Sequence, residues 1–472
     1  MRKKKVNYTI EDAYIEGFAA EGNAILKHDE KVIFVPFVAP GDVADIEVYK
    51  QKHSFCLAKV KQIKKFSDKR IEVKCPHFTY CGGCSWQMLD YDWQKKYKQQ
   101  QVRDNLERIG EIDCENISEI LGSDNIYYYR NKLEFTFSNR AWKKDFIKDE
   151  PPTPALGFHC SGFFDKVLPI ETCVLQKEPS NAIRNFIRDF TQEKNIPYYN
   201  IREHSGMMRN LIIRSTEHND LMVVVVFAME DEDTISMVMN AIKEKFPQIT
   251  SLQYCINQKF NDSLSDQNFV VFSGKDHIME YMPRFRNADL EPLQFKIRPK
   301  TFYQTNAPQA YKLYTVAAEF ADIKSSDIVY DLYTGTGTIA NFVANCAEKV
   351  VGIEYVEDAV EDARINSKEN GINNTSFFAG DMVKVLDDEF IERNGRPDVI
   401  ITDPPRSGMA EKVVQQILKT GARKIVYISC NPATQARDLK MMKEKYRVTK
   451  IQPVDMFPHT HHIENVVLLE KI

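Results

Sequence analysis

The sequence contains no long apolar run, since no stretch of its 472 residues approaches the roughly 18 uninterrupted apolar residues that a membrane helix needs. Its basic start, MRKKKVNYTIEDAY, has no apolar segment behind it, so no secretory signal is predicted. The 10 cysteines follow no regular spacing, which disfavours a disulfide framework and favours thiols kept reduced for metal binding or catalysis. Internal repeats are also missing. These absences predict a cytoplasmic protein that does not enter a membrane.

Charge and composition are those of an ordinary globular enzyme. The chain is 43% hydrophobic and 28% charged, and its length suffices for about two or three domains. The net charge of −4 argues against a protein that coats nucleic acid, because bulk phosphate neutralisation needs an excess of lysine and arginine. The charge is unevenly distributed, since the first 110 residues are basic and the remainder is acidic, and this suits local, selective contact with RNA.

The segment at residues 13–63 predicts short strands separated by turns. Within it Ala44, Ile46 and Val48 alternate with the positions between them, which is the period-two pattern of a strand with one buried face. Several such strands in a short segment predict a small β-barrel, and barrels of the OB type often bind single-stranded nucleic acid. A barrel with a purely structural role is the alternative.

A cysteine motif follows the predicted barrel. In CPHFTYCGGC, Cys75, Cys81 and Cys84 have the spacing C-x5-C-x2-C, and the two glycines let the backbone turn so that two thiolates converge. Three such sulfurs need a fourth ligand to hold zinc or an iron–sulfur cluster, and the sequence lacks the second C-x2-C pair of a zinc ribbon. The arrangement therefore favours a cluster. The candidates for the fourth ligand are Cys114, Cys160 and Cys173.

The middle of the chain, from about residue 126 to 300, predicts a mixed α+β region. Solid or alternating β runs such as LMVVVVFA surround one clear helix in PSNAIRNFIRDFTQEK. Before this region, DWQKKYKQQQVRDNLERIG predicts a long polar helix that ends at Gly110.

Strands and helices alternate from residue 308 onward, which predicts a doubly wound parallel sheet. DIVYDLYTGTGTIANFVA is a strand, a turn containing Gly335 and Gly337, and a helix. Glu354 ends the next strand, about twenty residues past the glycines, where a carboxylate can bind the hydroxyls of a ribose. Because the turn has no third glycine, it suits an adenosine without phosphates, such as S-adenosylmethionine, better than NAD. The remaining strands are predicted in TSFFAGDM, PDVIITDPPRSG and KIVYISCNP, and VVLLEKI closes the sheet.

The fifth strand ends on a cysteine that is a candidate nucleophile. Cys430 precedes Asn431-Pro432, a pair that disfavours helical geometry at the asparagine and presents the thiol at the strand tip. The tetrapeptide DPPR ends in Arg406, where amine methyltransferases carry an aromatic residue, so methylation at carbon is favoured. C5 of uracil is a poor nucleophile, and a thiolate that adds to C6 activates it. A base must then remove the C5 proton.

Glu464, in the closing segment DMFPHTHHIENVVLL, is the candidate for this base. A solvated glutamate in a loop is the plainer alternative. The same segment holds three histidines, at 459, 461 and 462, but no accompanying cysteine or carboxylate pattern indicates a metal site there.

Five motifs in order, FYQTN, DLYTGTGT, DPPRSG, SCNP and FPHTHHIE, resemble the RNA uracil-5 methyltransferases over essentially the whole chain. The resemblance implies that Cys430 is the nucleophile and Glu464 the base, with S-adenosylmethionine as methyl donor. It assigns Asp403 to the donor or to the target base. The other residues that it assigns to the donor are Gln304, Tyr333, Glu354 and Asp381.

The barrel and the cysteine motif resemble the branch of this family that acts on 23S ribosomal RNA. This resemblance implies a TRAM barrel over residues 1–66, a central iron–sulfur and RNA-binding domain over 67–298, and a Rossmann-like methyltransferase domain over 299–472. It further implies a [4Fe-4S] cluster and a monomer. IETCVL resembles the site of the fourth ligand, which selects Cys173 over Cys160. Thr338 departs from the family pattern, where relatives often have asparagine. The rival functions are the same chemistry on transfer RNA and a ribosome-assembly factor without turnover.

Overall fold

A computed structural model describes residues 7–145, 151–160, 162–287 and 289–472. Residues 1–6, which include most of the basic start and the first part of the predicted barrel, lie outside the described residues. None of the helices in the described part of the chain is long and apolar enough to cross a membrane.

The N-terminal strands form one six-stranded sheet in the order β1-β5-β6-β4-β3-β2. Alternate residues of one strand, Ala44, Ile46 and Val48, are buried in a separate hydrophobic core of this sheet, as the period-two pattern predicts. A short 3-10 turn at Ala20–Gly22 lies between the second and third strands. The strands are β1 (Tyr8–Tyr14), β2 (Gly17–Phe18), β3 (Ala24–His28), β4 (Lys31–Val35), β5 (Val43–Gln51) and β6 (Phe55–Lys65).

The long polar helix, α1 (Tyr91–Arg108), begins where the side chain of Asp90 accepts a hydrogen bond from the amide of Asp92 and ends just before the predicted Gly110. Its surface is mostly polar, yet Val102 and Leu106 pack into a core shared with the C-terminal sheet. The helix therefore belongs structurally with the C-terminal half of the chain.

A seven-stranded central sheet follows, in the order β13-β12-β11-β10-β7-β8-β9. All its pairings are antiparallel except that of β11 with β12, and α3 connects those two parallel strands. A hairpin of β14 and β15 then packs against the C-terminal core. The strands are β7 (Lys132–Ser138), β8 (Ala155–His159), β9 (Val167–Pro169), β10 (Met208–Ser215), β11 (Leu221–Phe227), β12 (Ser251–Ile256), β13 (Val270–Gly274), β14 (Ile278–Met282) and β15 (Leu293–Ile297). The helices are α2 (Ser180–Glu193) and α3 (Glu232–Lys245).

The C-terminal half is the expected methyltransferase-like α/β fold. Its strands alternate with helices, and its sheet has the order β18-β17-β16-β19-β20-β22-β21. The first five strands in this order are parallel, and β22 runs antiparallel to both of its neighbours, β20 and β21. The strands are β16 (Ile328–Leu332), β17 (Lys349–Glu354), β18 (Thr375–Ala379), β19 (Val399–Thr402), β20 (Lys424–Ser429), β21 (Tyr446–Val454) and β22 (Glu464–Lys471). The helices are α4 (Ala307–Ala321), α5 (Thr338–Val343), α6 (Glu357–Glu369), α7 (Met382–Val385), α8 (Asp388–Asn394), α9 (Glu411–Thr420) and α10 (Pro432–Met442).

One strand of this sheet differs from the sequence-based prediction. VVLLEKI does not close the sheet, because β22 lies between β20 and β21. The edge strand β21 was missed, since Arg447, Lys450 and Pro453 interrupt its apolar pattern. Residues of the 117–121 segment make isolated parallel bridges with β21, so this edge is covered.

Candidate active site

The carboxyl ends of five parallel strands meet at one edge of the C-terminal sheet, and polar side chains follow them. Asp403 comes directly after β19, and Cys430 directly after β20. Because β22 runs antiparallel to β20, its first residue, Glu464, lies at the same edge. The structure therefore brings these three side chains to one site.

The glycine turn after β16 leaves space for a ligand. Gly335 has φ +56°, and a Cβ built on it meets no atom within 4 Å, so the turn faces open space. Gly337 has φ +74°, and a Cβ there would lie 2.9 Å from the Cβ of Ala363, so this glycine allows α6 to approach. Tyr333 adopts φ +63° just before the turn, a conformation that is uncommon for a bulky residue and clusters at functional sites.

The carboxylate of Glu354 is tied to the glycine turn. Its Oε2 accepts a hydrogen bond from the amide of Gly335 at 3.1 Å, and its Oε1 accepts one from the amide of Val356 at 3.0 Å. Asp381 caps α7 by accepting a hydrogen bond from the amide of Val383 at 3.0 Å. Both carboxylates thus have fixed orientations at the sheet edge.

Asp331, which the sequence-based prediction did not select, is buried beneath the turn. Its Oδ2 accepts hydrogen bonds from the Thr334 hydroxyl and the Ala340 amide, and within the described residues its Oδ1 has no partner. Burial raises the pKa of Asp331 to about 7. A buried oxygen without a hydrogen-bond partner costs free energy unless a ligand supplies one, so Asp331 Oδ1 is suited to accept a hydrogen bond from a bound ligand. The strand end just before a glycine turn was the signal that could have found it.

The surroundings of Cys430 hold its thiol in the protonated form. Burial raises the pKa of Cys430 to about 11, the charges of Glu464 and Asp403 raise it as well, and Arg406 opposes them. Asn431 caps α10, whose first residue is Pro432, so the chain leaves the strand tip at once, as Asn-Pro predicts. The side-chain Nδ2 of Asn431 also donates to the Arg406 carbonyl at 3.0 Å, which links the two loops.

Glu464 is buried and Asp403 is partly buried, and the charge of Asp403 acts on Glu464. Burial raises the pKa of Asp403 to about 7, and the charge of Asp331 adds to this shift. Burial, followed by the charge of Asp403, also raises the pKa of Glu464 well above its usual value. Two interacting carboxyls in such surroundings do not readily hold two negative charges, so the pair keeps a proton more readily than two exposed carboxyls do.

Gln304 and Tyr314 border the same site from the side of α4. The Gln304 backbone carbonyl accepts a hydrogen bond from Asn131 of the central region at 3.0 Å. Tyr314 is buried, and its pKa is raised by burial and by the charges of Asp403, Glu464 and Asp331. No sequence signal indicated Tyr314, because its position on α4 matches an ordinary apolar face. Thr338 begins α5, and its Oγ1 lies 3.4 Å from the Oγ1 of Thr336.

Cys430 should react slowly with an alkylating reagent, because only its thiolate is nucleophilic. With a pKa of about 11, its alkylation by iodoacetamide at pH 8 is expected to be on the order of 10²-fold slower than that of an exposed thiol with a pKa of about 8.5. Arg406→Gln should slow it further, since the positive charge that lowers the pKa is lost. Peptide mass mapping across pH 7–11 measures both rates. Reaction of Cys430 at the rate of an exposed thiol would contradict the electrostatics described.

A separate cavity of about 620 Å³ lies in the central region and is lined by all four cysteines of the predicted metal site. Cys160 lines the cavity too, and its backbone forms an isolated antiparallel β-bridge with that of Cys81. Cys114, in contrast, is buried in the core shared by α1 and the C-terminal sheet. Burial, with contributions from neighbouring cysteines, raises the pKa values of Cys81 and Cys84 to about 12. Among the described residues, no group of three or more histidine, cysteine, aspartate or glutamate side chains is arranged so that it could hold a metal ion.

Comparison with known proteins assigns this architecture to a family. A family model described as tRNA (Uracil-5-)-methyltransferase matches residues 215–472, which is more than half of the chain. The chain belongs to this family. As a uracil-5 methyltransferase relative, it is an RNA methyltransferase with the fold of enzymes that use S-adenosylmethionine.

Relatives extend this similarity over the full length. An uncharacterized RNA methyltransferase of Bacteroides thetaiotaomicron is 51% identical over 461 residues, which is 96% of this chain and 99% of the relative. One from Chlorobaculum tepidum is 38% identical over 92% of this chain and 90% of its own length. The crystal structure of the Pyrococcus abyssi tRNA (uracil-54, C5)-methyltransferase with S-adenosyl-L-homocysteine covers 97% of this chain and 100% of its own, with a TM-score of 0.74 and 26% identity.

Proposed function

We propose that this protein transfers a methyl group from S-adenosylmethionine to C5 of a uridine in 23S ribosomal RNA through a covalent bond between Cys430 and C6. The observation that carries the proposal is the presence of Cys430 and Glu464 at one sheet edge, close enough for the carboxylate to raise the pKa of the thiol. A nucleophile with an adjacent base is the pair that methylation at C5 requires.

The reaction makes and breaks bonds in a defined order. The Cys430 thiol first loses its proton to solvent, and the sulfur then bonds to C6 and converts the ring to an enolate with electron density at C5. S-adenosylmethionine, when bound, would supply a methyl group that bonds to C5, while the bond between that methyl group and the donor sulfur breaks and S-adenosylhomocysteine leaves. Glu464 then takes the proton from C5, the bond between sulfur and C6 breaks, and 5-methyluridine leaves. A target uridine in folded RNA must first leave its stack to reach the buried site.

The residues at the sheet edge fit the methyl donor. We infer that Glu354 binds the ribose hydroxyls and that Asp381, Tyr333 and Gln304 complete the donor site. Asp403 contacts the donor or the target base. The open space at Gly335 and the unpartnered Oδ1 of Asp331 support this assignment, because both are suited to a polar ligand above the turn.

Glu354→Gln should weaken binding of S-adenosylmethionine by about 1 to 3 kcal/mol, the usual contribution of hydrogen bonds to a charged group. The amide offers one oxygen, so it cannot keep both the Gly335 contact and the ribose. Isothermal calorimetry measures the change. Glu357→Gln, on the exposed first turn of α6, is the matched control and should bind normally. Equal affinity of Glu354→Gln and the unmutated protein would refute the assignment.

We further infer that Cys75, Cys81, Cys84 and Cys173 hold a [4Fe-4S] cluster in the central cavity. The cavity and its soft thiol donors support this inference. In such a cluster each of these thiolates would bind its own iron, so the four cysteines would not have to meet at a single metal ion.

Anaerobically purified protein should be brown and contain about four irons per chain if the cluster is of this type. Cys173→Ala should lose the iron, whereas Cys160→Ala, which alters the same cavity, should keep it. Iron analysis and the visible absorption spectrum measure the result. Colourless protein with stoichiometric zinc would contradict the cluster, and iron loss from Cys160→Ala alone would reassign the fourth ligand.

The choice of RNA rests on the N-terminal half. We propose that the six-stranded N-terminal sheet is a TRAM barrel that contacts RNA and that, with the cysteine site, it directs the enzyme to ribosomal RNA. The domains would be 1–66, 67–298 and 299–472. Transfer RNA is the second candidate, because the Pyrococcus abyssi structure of similar fold is a tRNA methyltransferase. Mass mapping of 5-methyluridine in both RNAs from a deletion strain separates the two. Loss from neither would favour an assembly factor.

A further inference from the structure

We propose that Lys98 is a positioning residue for Glu464, because its buried ion pair with Asp455 fixes the hairpin that carries this carboxyl. The inference rests on the proposed role of Glu464 as the base. It adds a residue of α1, far from the motifs of the C-terminal half, to the machinery of proton removal.

The hairpin places Asp455 beside Glu464. Strand β21 ends at Val454 and β22 begins at Glu464, and these two residues are directly paired across the antiparallel ladder. Asp455 is therefore one residue from the cross-strand partner of Glu464. A shift of the Asp455 backbone therefore reaches Glu464 through Val454, the neighbour of Asp455 that the ladder pairs with Glu464.

The ion pair is completely buried. Lys98 Nζ lies 2.6 Å from Asp455 Oδ1, and neither side chain is accessible to solvent. Lys98 Nζ also donates to the Phe457 carbonyl at 3.0 Å, and the Phe457 amide donates to Asp455 Oδ1 at 3.0 Å. One lysine thus binds both the first and the third residue of the hairpin loop. A lysine is almost never fully buried without a partner, so the burial of Lys98 depends on its contacts with Asp455 and the Phe457 carbonyl.

The same helix also holds the far part of the loop. One turn before Lys98, the side-chain oxygen of Gln94 accepts a hydrogen bond from the His459 amide at 2.7 Å. The amides of Ser85 and Trp86 donate to the His459 carbonyl, each at 2.9 Å. His459 has φ +66°, a conformation that a non-glycine residue keeps only when its surroundings enforce it. The loop is therefore held in one conformation by contacts from α1 and the segment before it.

Breaking the Lys98–Asp455 pair should have different effects on catalysis depending on whether the pair stabilises the fold or positions Glu464. A pair that only stabilised the fold would, when broken, lower every catalytic step together. A pair that positions Glu464 should affect chiefly proton removal, since the nucleophile follows β20 and the donor turn follows β16. A misplacement on the order of 1 Å costs catalysis about 10²-fold.

Lys98→Met tests this difference in the full-length protein with target RNA. Methyl transfer in a single turnover should fall little, while release of 5-methyluridine should fall on the order of 10- to 100-fold. Methylated RNA should accumulate as a covalent adduct that survives denaturation. Arg103→Met is the matched control on the same helix, since it removes only an exposed pair with Glu107 at 3.3 Å. It should behave as the unmutated protein.

A double variant, Lys98→Met with Asp455→Leu, separates stability from position. Replacing both partners of a buried pair by apolar residues often restores stability, whereas leaving one charge unpaired does not. The double variant should regain most of the melting temperature lost in Lys98→Met yet still accumulate adduct. Restored product release in the double variant, or a proportional loss of methyl transfer and release in Lys98→Met without adduct, would overturn the positioning role. If Glu464→Gln itself forms no adduct, the fault lies with the proposed function instead.

Discussion

Cys430→Ala is expected to make no 5-methyluridine and to form no covalent bond with RNA. Without the sulfur, C6 receives no nucleophile, and C5 stays too poor in electrons to take a methyl group. The loss of kcat should be on the order of 10⁴-fold or more, as for removal of other covalent nucleophiles. Transfer of radiolabelled methyl groups to large-subunit RNA measures it.

RNA with 5-fluorouridine at the target extends this test. Fluorine cannot leave C5 as a proton, so the unmutated enzyme should methylate the ring once and remain attached through Cys430. Cys430→Ala should not be trapped. Cys346→Ala, which removes another partly exposed thiol of the C-terminal half, is the control and should be trapped normally. Formation of 5-methyluridine by Cys430→Ala would disprove the covalent mechanism.

Glu464→Gln is expected to fail at a different step. Addition of the thiolate and methyl transfer can occur, but the amide cannot accept the C5 proton, so natural RNA should accumulate as a denaturation-resistant adduct. Product formation should fall by a factor on the order of 10² to 10⁴, the usual contribution of a general base. Gel shift under denaturing conditions and single-turnover methyl transfer distinguish the two steps.

Glu470→Gln provides the control for this experiment, because Glu470 belongs to the same strand but lies at its other end. It should turn over normally. Turnover of Glu464→Gln at the rate of the unmutated protein would mean that another group removes the proton. Asp403 would then be the next candidate, since it interacts electrostatically with both Glu464 and Cys430.

Much of the C-terminal half could be predicted from the sequence alone. The alternation of apolar strands with amphipathic helices determines a parallel sheet, and parallel strands bring their carboxyl ends to one edge. The glycine turn and Cys430 follow strand ends and Glu354 is the last residue of its strand, so local patterns sufficed to place them at one edge. Helix α2 was found for the same reason, since a helical period is a local property of the chain.

Other features required the tertiary structure, because they depend on segments far apart in the chain. The inner place of β22 follows from its pairing with both β20 and β21, and the pattern of β22 itself does not reveal its neighbours. The raised pKa of Cys430 comes from burial and from charges that other loops bring near it. Lys98 and Asp455 are 357 residues apart, and in the sequence each looks like a solvated charge. The sequence alone therefore determined the order of strands, helices and polar strand-end residues in the C-terminal half, whereas packing decided how each side chain is charged, paired and held.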